Sequence, residues 1–226
     1  MNGKRHMPEP ETTCWTVILA AAAGSAANRE ELARRYLGTV RAFLFARWRG
    51  SPLHNDIDDA TQEVFIECFR EGGAVEAVGA GRVTNFRPFL YGVIRNVARR
   101  YESRPARPTA PLQEIPSDHA SQSQLFDRTW AQAIMVEATR LQAQRAAEAG
   151  PEAVRRVELL RLRFVENLPI RAIAELWGID AARLHHAYAL ARQEFRAALL
   201  AVVAFHQPGT PVEIEQEAAC LLKALS

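Results

Sequence analysis

Residues 56–70 read DIDDATQEVFIECFR, and residues 86–101 that follow them read FRPFLYGVIRNVARRY. The first stretch carries five acids and one arginine, whereas the second carries four arginines and no acid. Both stretches repeat apolar residues at steps of three and four, which is typical of a helix with one buried face. The sequence therefore predicts two neighbouring amphipathic helices whose exposed faces have opposite charge.

The acids of the first helix are predicted to form one exposed stripe. At 100° per residue, Asp56, Asp59, Glu63 and Glu67 fall within about 80° of one another. Like charges four residues apart repel by a few tenths of a kcal/mol, so such a stripe favours a basic partner. The alternative is a solvated face that only aids solubility. No histidine stands at a spacing that would complete a metal site, so we expect no metal and no other cofactor.

The second helix is predicted to bury an aromatic face and to expose arginines. Arginine donors suit phosphate oxygens, and a basic groove beside unstacked bases is typical of single-strand binding. The alternative is a core face of aromatics with an arginine face that only aids solubility. The predicted nucleic-acid contacts lie on this helix and in the Gly-rich segment before it: Arg82, Asn85, Arg87, Arg95, Asn96, Arg99 and Arg100.

Residues 168–192 read LPIRAIAELWGIDAARLHHAYALAR and predict a helix-turn-helix. Gly178 suits the left-handed turn, and Asp180 suits the N-cap of a second helix that would enter a major groove. An ordinary helical hairpin is the alternative. Adjacent histidines on a helix point about 100° apart and cannot bind one metal ion together. The residues expected to contact DNA are Arg171, Arg183, His185, His186 and Arg192.

The whole chain of 226 residues, 48% of them hydrophobic, shows no period-two alternation that would indicate a sheet. It predicts an all-α fold with two helical domains, a Pro-rich linker and a short C-terminal helix that begins at a capping box, Thr210 to Glu213. Three scattered cysteines argue against a disulfide framework and favour a reducing compartment. The predicted boundaries are an N-terminal extension at 1–25, a first domain at 26–104, a linker at 105–125, a second domain at 126–204 and a C-terminal extension at 205–226.

The apolar stretch from Trp15 to Ala23 has two interpretations. Basic residues before it and small residues after it resemble a secretory signal with its cleavage site. However, the segment from Pro8 to Glu11 places two prolines and two acids where a basic region should continue, which favours a short buried helix. No stretch approaches the roughly 20 apolar residues that a membrane span needs.

The three motifs in this order resemble the extracytoplasmic-function group (group 4) of bacterial sigma-70 family RNA polymerase sigma factors. Residues 56–65 resemble their acidic region 2.2 signature, residues 86–96 resemble region 2.3 into 2.4, and residues 160–200 resemble region 4. The resemblance implies a cytoplasmic transcription factor with no catalysis of its own. It also implies sigma region 2 and region 4 domains joined by the linker.

The resemblance assigns a partner to each motif. The acidic face, Asp56, Asp59, Gln62, Glu63 and Glu67, would bind the clamp helices of the largest polymerase subunit. Residues 72–100 would melt and read the −10 element, and the helix-turn-helix would read the −35 element and contact the polymerase flap. Ala187, Ala189 and Leu190 stand where the family often has basic residues or histidine, so we expect weak or unusual −35 binding.

Core RNA polymerase, promoter DNA and a regulator such as an anti-sigma factor are therefore the expected partners, with no membrane and no small-molecule substrate. Two other functions stay open at this point. One is a one-component helix-turn-helix regulator that binds duplex DNA without polymerase. The other is a secreted helical interaction protein, if the apolar N-terminal stretch is cleaved.

Overall fold

A computed structural model describes residues 14–70, 86–104 and 119–225 of the chain. Across these ranges the protein consists of α-helices, one 3₁₀ helix and short connections, without a strand, which confirms the predicted all-α fold class. The helices are α1 (Cys14–Ala22), α2 (Ala26–Arg47), the 3₁₀ helix (Pro52–Asp56), α3 (Ile57–Phe69), α4 (Phe86–Glu102), α5 (His119–Ala149), α6 (Pro151–Phe164), α7 (Ile170–Trp177), α8 (Ala181–His206) and α9 (Pro211–Ala224).

A break at Gly24 separates α1 from α2. Gly24 has a φ of 95°, a left-handed conformation that glycine adopts without steric cost. The hydroxyl of Ser25 then accepts a hydrogen bond from the backbone N–H of Asn28 and caps α2. The turn lets α1 fold back against α2.

Helix α5 begins at His119, inside the linker that the sequence predicted at 105–125. The extra turns are stabilised by packing, because Phe126 and Trp130 are 1% and 4% exposed and face the core together. Helices in proteins owe most of their stability to such packing rather than to local propensity. The polar sequence around residues 119–124 therefore gave no local signal for this helix.

One large hydrophobic core joins helices from both predicted domains. Tyr36 of α2 stacks on Trp130 of α5 at a ring-centroid distance of 5.7 Å, and Phe43 of α2 meets Phe126 of α5 edge-on at 5.6 Å. The same core includes α1, α3, α4, the C-terminal end of α8 and the buried side of α9. The proposed region 2 helices thus pack directly against helices that follow the predicted linker.

A second, smaller core lies at the other end of α8. It consists of residues from α6, α7 and the first turn of α8: Leu159, Leu162, Ile173, Ala174 and Leu184. This cluster holds the helix-turn-helix together. Since the first core takes up the C-terminal end of α8, that helix connects the two cores.

Helix α1 is part of the large core rather than a surface element. Ile18 is fully buried, and the Cys14 thiol donates to the backbone carbonyl of His206 at 3.0 Å. These contacts agree with the buried-helix interpretation of the apolar stretch. In the part of the chain described above, every helix is too short or too polar to cross a membrane.

A buried polar chain connects α2, α5 and α8. The Tyr36 hydroxyl lies 2.8 Å from Nδ1 of His206, and Nε2 of His206 lies 2.9 Å from Oε2 of Glu137. His206 thus links a hydroxyl of α2 to a carboxylate of α5 through its two ring nitrogens. Burial opposes ionisation of Glu137, but the hydrogen bond from His206 and the nearby charge of Arg35 outweigh it and lower the pKa of this carboxyl.

Candidate protein and nucleic-acid interfaces

The acidic face of α3 is not uniform along its length. Asp59 and Gln62 are exposed, and Asp56 is half-buried at the N-terminal side of the helix. Glu63 and Glu67 are instead paired with Arg100 of α4, at N–O distances of 3.0 and 2.8 Å. The prediction of one continuous solvent-facing stripe is therefore wrong for its C-terminal half.

Arg100 removes the repulsion that the sequence predicted between Glu63 and Glu67. Its hydrogen bond to Glu67 lowers the pKa of that carboxyl and raises the pKa of Arg100 itself. Arg104 adds a longer contact of 3.9 Å to Glu63. The two oppositely charged helices thus lie side by side and contact each other at one end, while Asp59 and Gln62 remain exposed to solvent.

An open groove of about 730 Å³ runs between α2 and α3 beside the exposed acids. Leu37 and Ile66 line it and are 44% and 59% exposed. Asp58 and Arg41 form a 2.9 Å ion pair at its side. Sequence reasoning missed the apolar part of this surface, although both residues lie off the buried faces of their helices, which was the available signal.

The basic helix α4 buries an apolar face, as predicted, to which Phe86, Leu90 and Ile94 belong. On its outer side Asn96, Arg99 and Arg100 are exposed and Arg95 is half-buried. Arg82 and Asn85, which were predicted to act with this helix, lie outside the described residues. The outer side of α4 therefore presents a row of hydrogen-bond donors that suits phosphate groups.

Arg87, at the start of α4, contacts the C-terminal half of the chain. Its guanidinium lies 2.5 Å from Asp127 of α5 and 2.8 Å from Glu217 of α9, and its side chain is 19% exposed. The sequence predicted a side chain at the edge of the nucleic-acid face. The structure instead places it in an ion-pair cluster with two carboxylates from the C-terminal half of the chain.

The helix-turn-helix has the local geometry that the sequence predicted. Gly178 adopts the left-handed conformation with φ 61°, and its N–H bonds to the carbonyls that end α7. The Asp180 carboxylate accepts from the backbone N–H groups of Ala182 and Arg183, at 2.9 and 3.1 Å. These contacts fix the start of α8, which confirms the predicted turn and cap.

The residues predicted to contact duplex DNA are all exposed. Arg183, His185, His186 and Arg192 occupy the first three turns of α8, and Arg171 lies on α7. The structure therefore places them on neighbouring helices of one motif. Their contacts with DNA stay a prediction.

The same motif exposes apolar side chains that sequence reasoning did not single out. Phe164 and Val165 at the end of α6 are 62% and 71% exposed, and Leu176 of α7 is 64% exposed. Their positions off the buried faces of α6 and α7 were the signal that could have found them.

Comparison of the sequence with models of known protein families gives a match, which covers part of the chain. Residues 32–107 match the model of sigma-70 region 2. The matched segment contains most of α2 together with α3 and α4, so it includes both charged helices. Over these residues the chain is similar to sigma-70 region 2, which indicates a role in RNA polymerase binding and promoter melting. No curated protein matches the chain.

Proposed function

We propose that this protein is an extracytoplasmic-function sigma factor, which acts in the cytoplasm by binding core RNA polymerase and directing it to −10 and −35 promoter elements. The observation that carries the proposal is the region 2 match over residues 32–107, because that segment holds α3 and α4 next to each other. The helix-turn-helix further along the chain supplies the second DNA-binding element that such a function needs.

The contact with polymerase is assigned to the exposed part of α3 and the groove beside it. Asp56, Asp59 and Gln62 provide acidic and polar groups, and Leu37 and Ile66 provide apolar surface. A partner helix with both basic and apolar side chains, such as a clamp helix of the largest polymerase subunit, complements this combination. Glu63 and Glu67 belong to the same face and, in addition, hold α4 through Arg100.

Promoter contacts are divided between α4 and the helix-turn-helix. The outer side of α4 is proposed to melt and bind the −10 element, with donors from Arg95, Asn96, Arg99 and Arg100, together with Arg82, Asn85 and Arg87. The −35 element is assigned to Arg171, Arg183, His185, His186 and Arg192. Because these contacts involve phosphates, binding should weaken steeply with salt.

The direct test is transcription from a genomic template by core polymerase with and without the protein. We expect new transcripts with defined start sites, and the absence of any promoter-specific transcript would contradict the proposal. A gel shift with duplex DNA in the absence of core polymerase distinguishes the sigma factor from the main alternative, a one-component regulator. Tight, sequence-specific duplex binding by the free protein would favour the one-component regulator.

A further inference from the structure

Arg87, a predicted −10 residue, contacts the C-terminal helix α9. Its Nη1 lies 2.8 Å from Glu217 of α9 and its Nη2 lies 2.5 Å from Asp127 of α5. All three side chains are more than half buried, with exposures of 19%, 20% and 38%. Two carboxylates around one guanidinium use donors that a phosphate would otherwise accept from.

Helix α9 is held firmly enough to keep Glu217 in this position. Its start carries the predicted capping box between Thr210 and Glu213, and its inner side buries Ala218 and Leu221 against α5 and α8. Another paired acid of α9, Glu215, faces the opposite way and bonds to Arg196 of α8 at 2.8 Å, where both side chains are exposed. The Arg87 contact is therefore specific to one position of the helix.

We infer that α5 and α9 form an autoinhibitory contact that withholds Arg87 from nucleic acid. A phosphate can reach this guanidinium only after Glu217 and Asp127 have moved away or have been displaced. The inference rests on the proposed role of Arg87 in nucleic-acid binding. It assigns to the C-terminal extension a function in restraining the DNA-binding helix to which its acid is bonded.

The test measures the affinity of the free full-length protein for a fluorescent 20-nucleotide single-stranded oligonucleotide by anisotropy at low salt. The variant Glu217→Gln removes one carboxylate charge with little change in shape, and Asp127→Asn/Glu217→Gln removes both. We expect the oligonucleotide to bind roughly threefold more tightly to the single variant and roughly tenfold more tightly to the double variant. Thermal unfolding verifies that each variant is folded.

The matched control is Glu215→Gln, which makes the same change in net charge on the same helix and releases Arg196 instead. Equal gains from Glu217→Gln and Glu215→Gln would overturn the inference, because a general charge effect would then explain both. A gain that persists when Arg87→Gln is added to Glu217→Gln would overturn it as well. A gain that is larger for Glu217→Gln than for Glu215→Gln and that disappears with Arg87→Gln assigns the excess affinity to Arg87.

This assay contains neither polymerase nor promoter, so its result is separate from the test of the proposed function. A protein that fails to direct transcription but shows the Arg87-dependent gain retains the autoinhibitory contact and loses the sigma-factor assignment. A protein that directs transcription but shows no such gain retains the assignment and loses the autoinhibitory contact.

Discussion

The acids of α3 differ in what they contact, and this difference decides which of them can bind a partner directly. Glu63 and Glu67 are already bonded to Arg100, whereas Asp59 is exposed and has no ion pair within the described ranges. A new partner must compete with Arg100 for the two glutamates but not for Asp59. Asp59 is therefore the best position for testing the polymerase contact without disturbing the fold.

The substitution Asp59→Lys should lower affinity for core polymerase about tenfold, because it reverses the charge at the proposed interface. Binding of labelled protein to purified core, measured at low and moderate salt, checks this. Glu148→Lys makes the same charge change at an exposed position of α5 and should bind like the unmodified protein. Equal affinities for both variants would remove α3 from the interface.

The three cysteines should differ sharply in reactivity. Burial raises the pKa of Cys14 and of Cys68 to about 12, whereas Cys220 is exposed on α9. Since the thiolate is the reactive form, the two buried thiols remain protonated and shielded at pH 8. Titration with a thiol reagent at this pH should modify one cysteine rapidly in the folded protein and three after denaturation. Rapid modification of a second cysteine in the folded state would contradict the burial of α1 or α3.

At the scale of the elements, the helix-turn-helix depends on one backbone conformation. A Cβ added at Gly178 would meet no atom within 4 Å, so the cost of a substitution there comes from its φ of 61° and not from crowding. A substitution at Gly178 therefore measures the cost of backbone strain without a contribution from side-chain packing. It also lets one glycine of the chain serve as a control for another.

The substitution Gly178→Ala should lower the free energy of unfolding by about 1 kcal/mol, because L-residues with a Cβ disfavour the left-handed conformation. Gly178→Asn should cost less, since asparagine tolerates that conformation better. Gly38→Ala, inside α2 and equally free of steric contact, should stabilise the protein by about 0.5–1 kcal/mol. Urea unfolding measures all three, and a neutral Gly178→Ala would show that the turn does not need glycine.

At the scale of the whole molecule, the helix that joins the two cores is short beside the promoter that the proposed function requires. Elements centred at −10 and −35 are about 25 base pairs apart, or roughly 85 Å of B-form DNA. From Leu184 in the helix-turn-helix core to Leu199, the first residue of α8 in the large core, the helix rises about 22 Å. The chain between Arg104 and His119 can span at most roughly 50 Å when fully extended. Separation of the N-terminal helices α1–α4 from the C-terminal helices α5–α9 would let the two DNA-binding elements lie this far apart.

Energy transfer between dyes on Cys220 and on an Ala42→Cys variant should therefore fall when core polymerase and promoter DNA are added. Both positions are exposed, and the remaining cysteines are buried. A second pair, Cys220 with Thr139→Cys, lies within the C-terminal half and should keep its transfer efficiency. Unchanged transfer in the first pair would show that the large core stays closed on the promoter.

Features set by neighbouring residues could be predicted from the sequence. The turn at Gly178, the cap at Asp180 and the capping box from Thr210 to Glu213 each depend on contacts within three or four residues, and the structure has all of them. The early start of α5 could not be predicted, because its first turns are held by packing of Phe126 and Trp130 against distant helices. The partners of Arg87 escaped prediction for the same reason, since they lie 40 and 130 residues away.

The amino-acid sequence by itself determined that this protein is helical, where most of its helices run and that α3 and α4 carry opposite charges. It did so because helix periodicity, capping and charge are properties of short segments. The tertiary structure alone decided which charges stay available to an outside partner. Arg100 forms ion pairs with Glu63 and Glu67, and Arg87 forms ion pairs with Asp127 and Glu217. An ion pair between helices depends on how those helices pack, and packing is settled by the shared core and not by the residues adjacent to each charge.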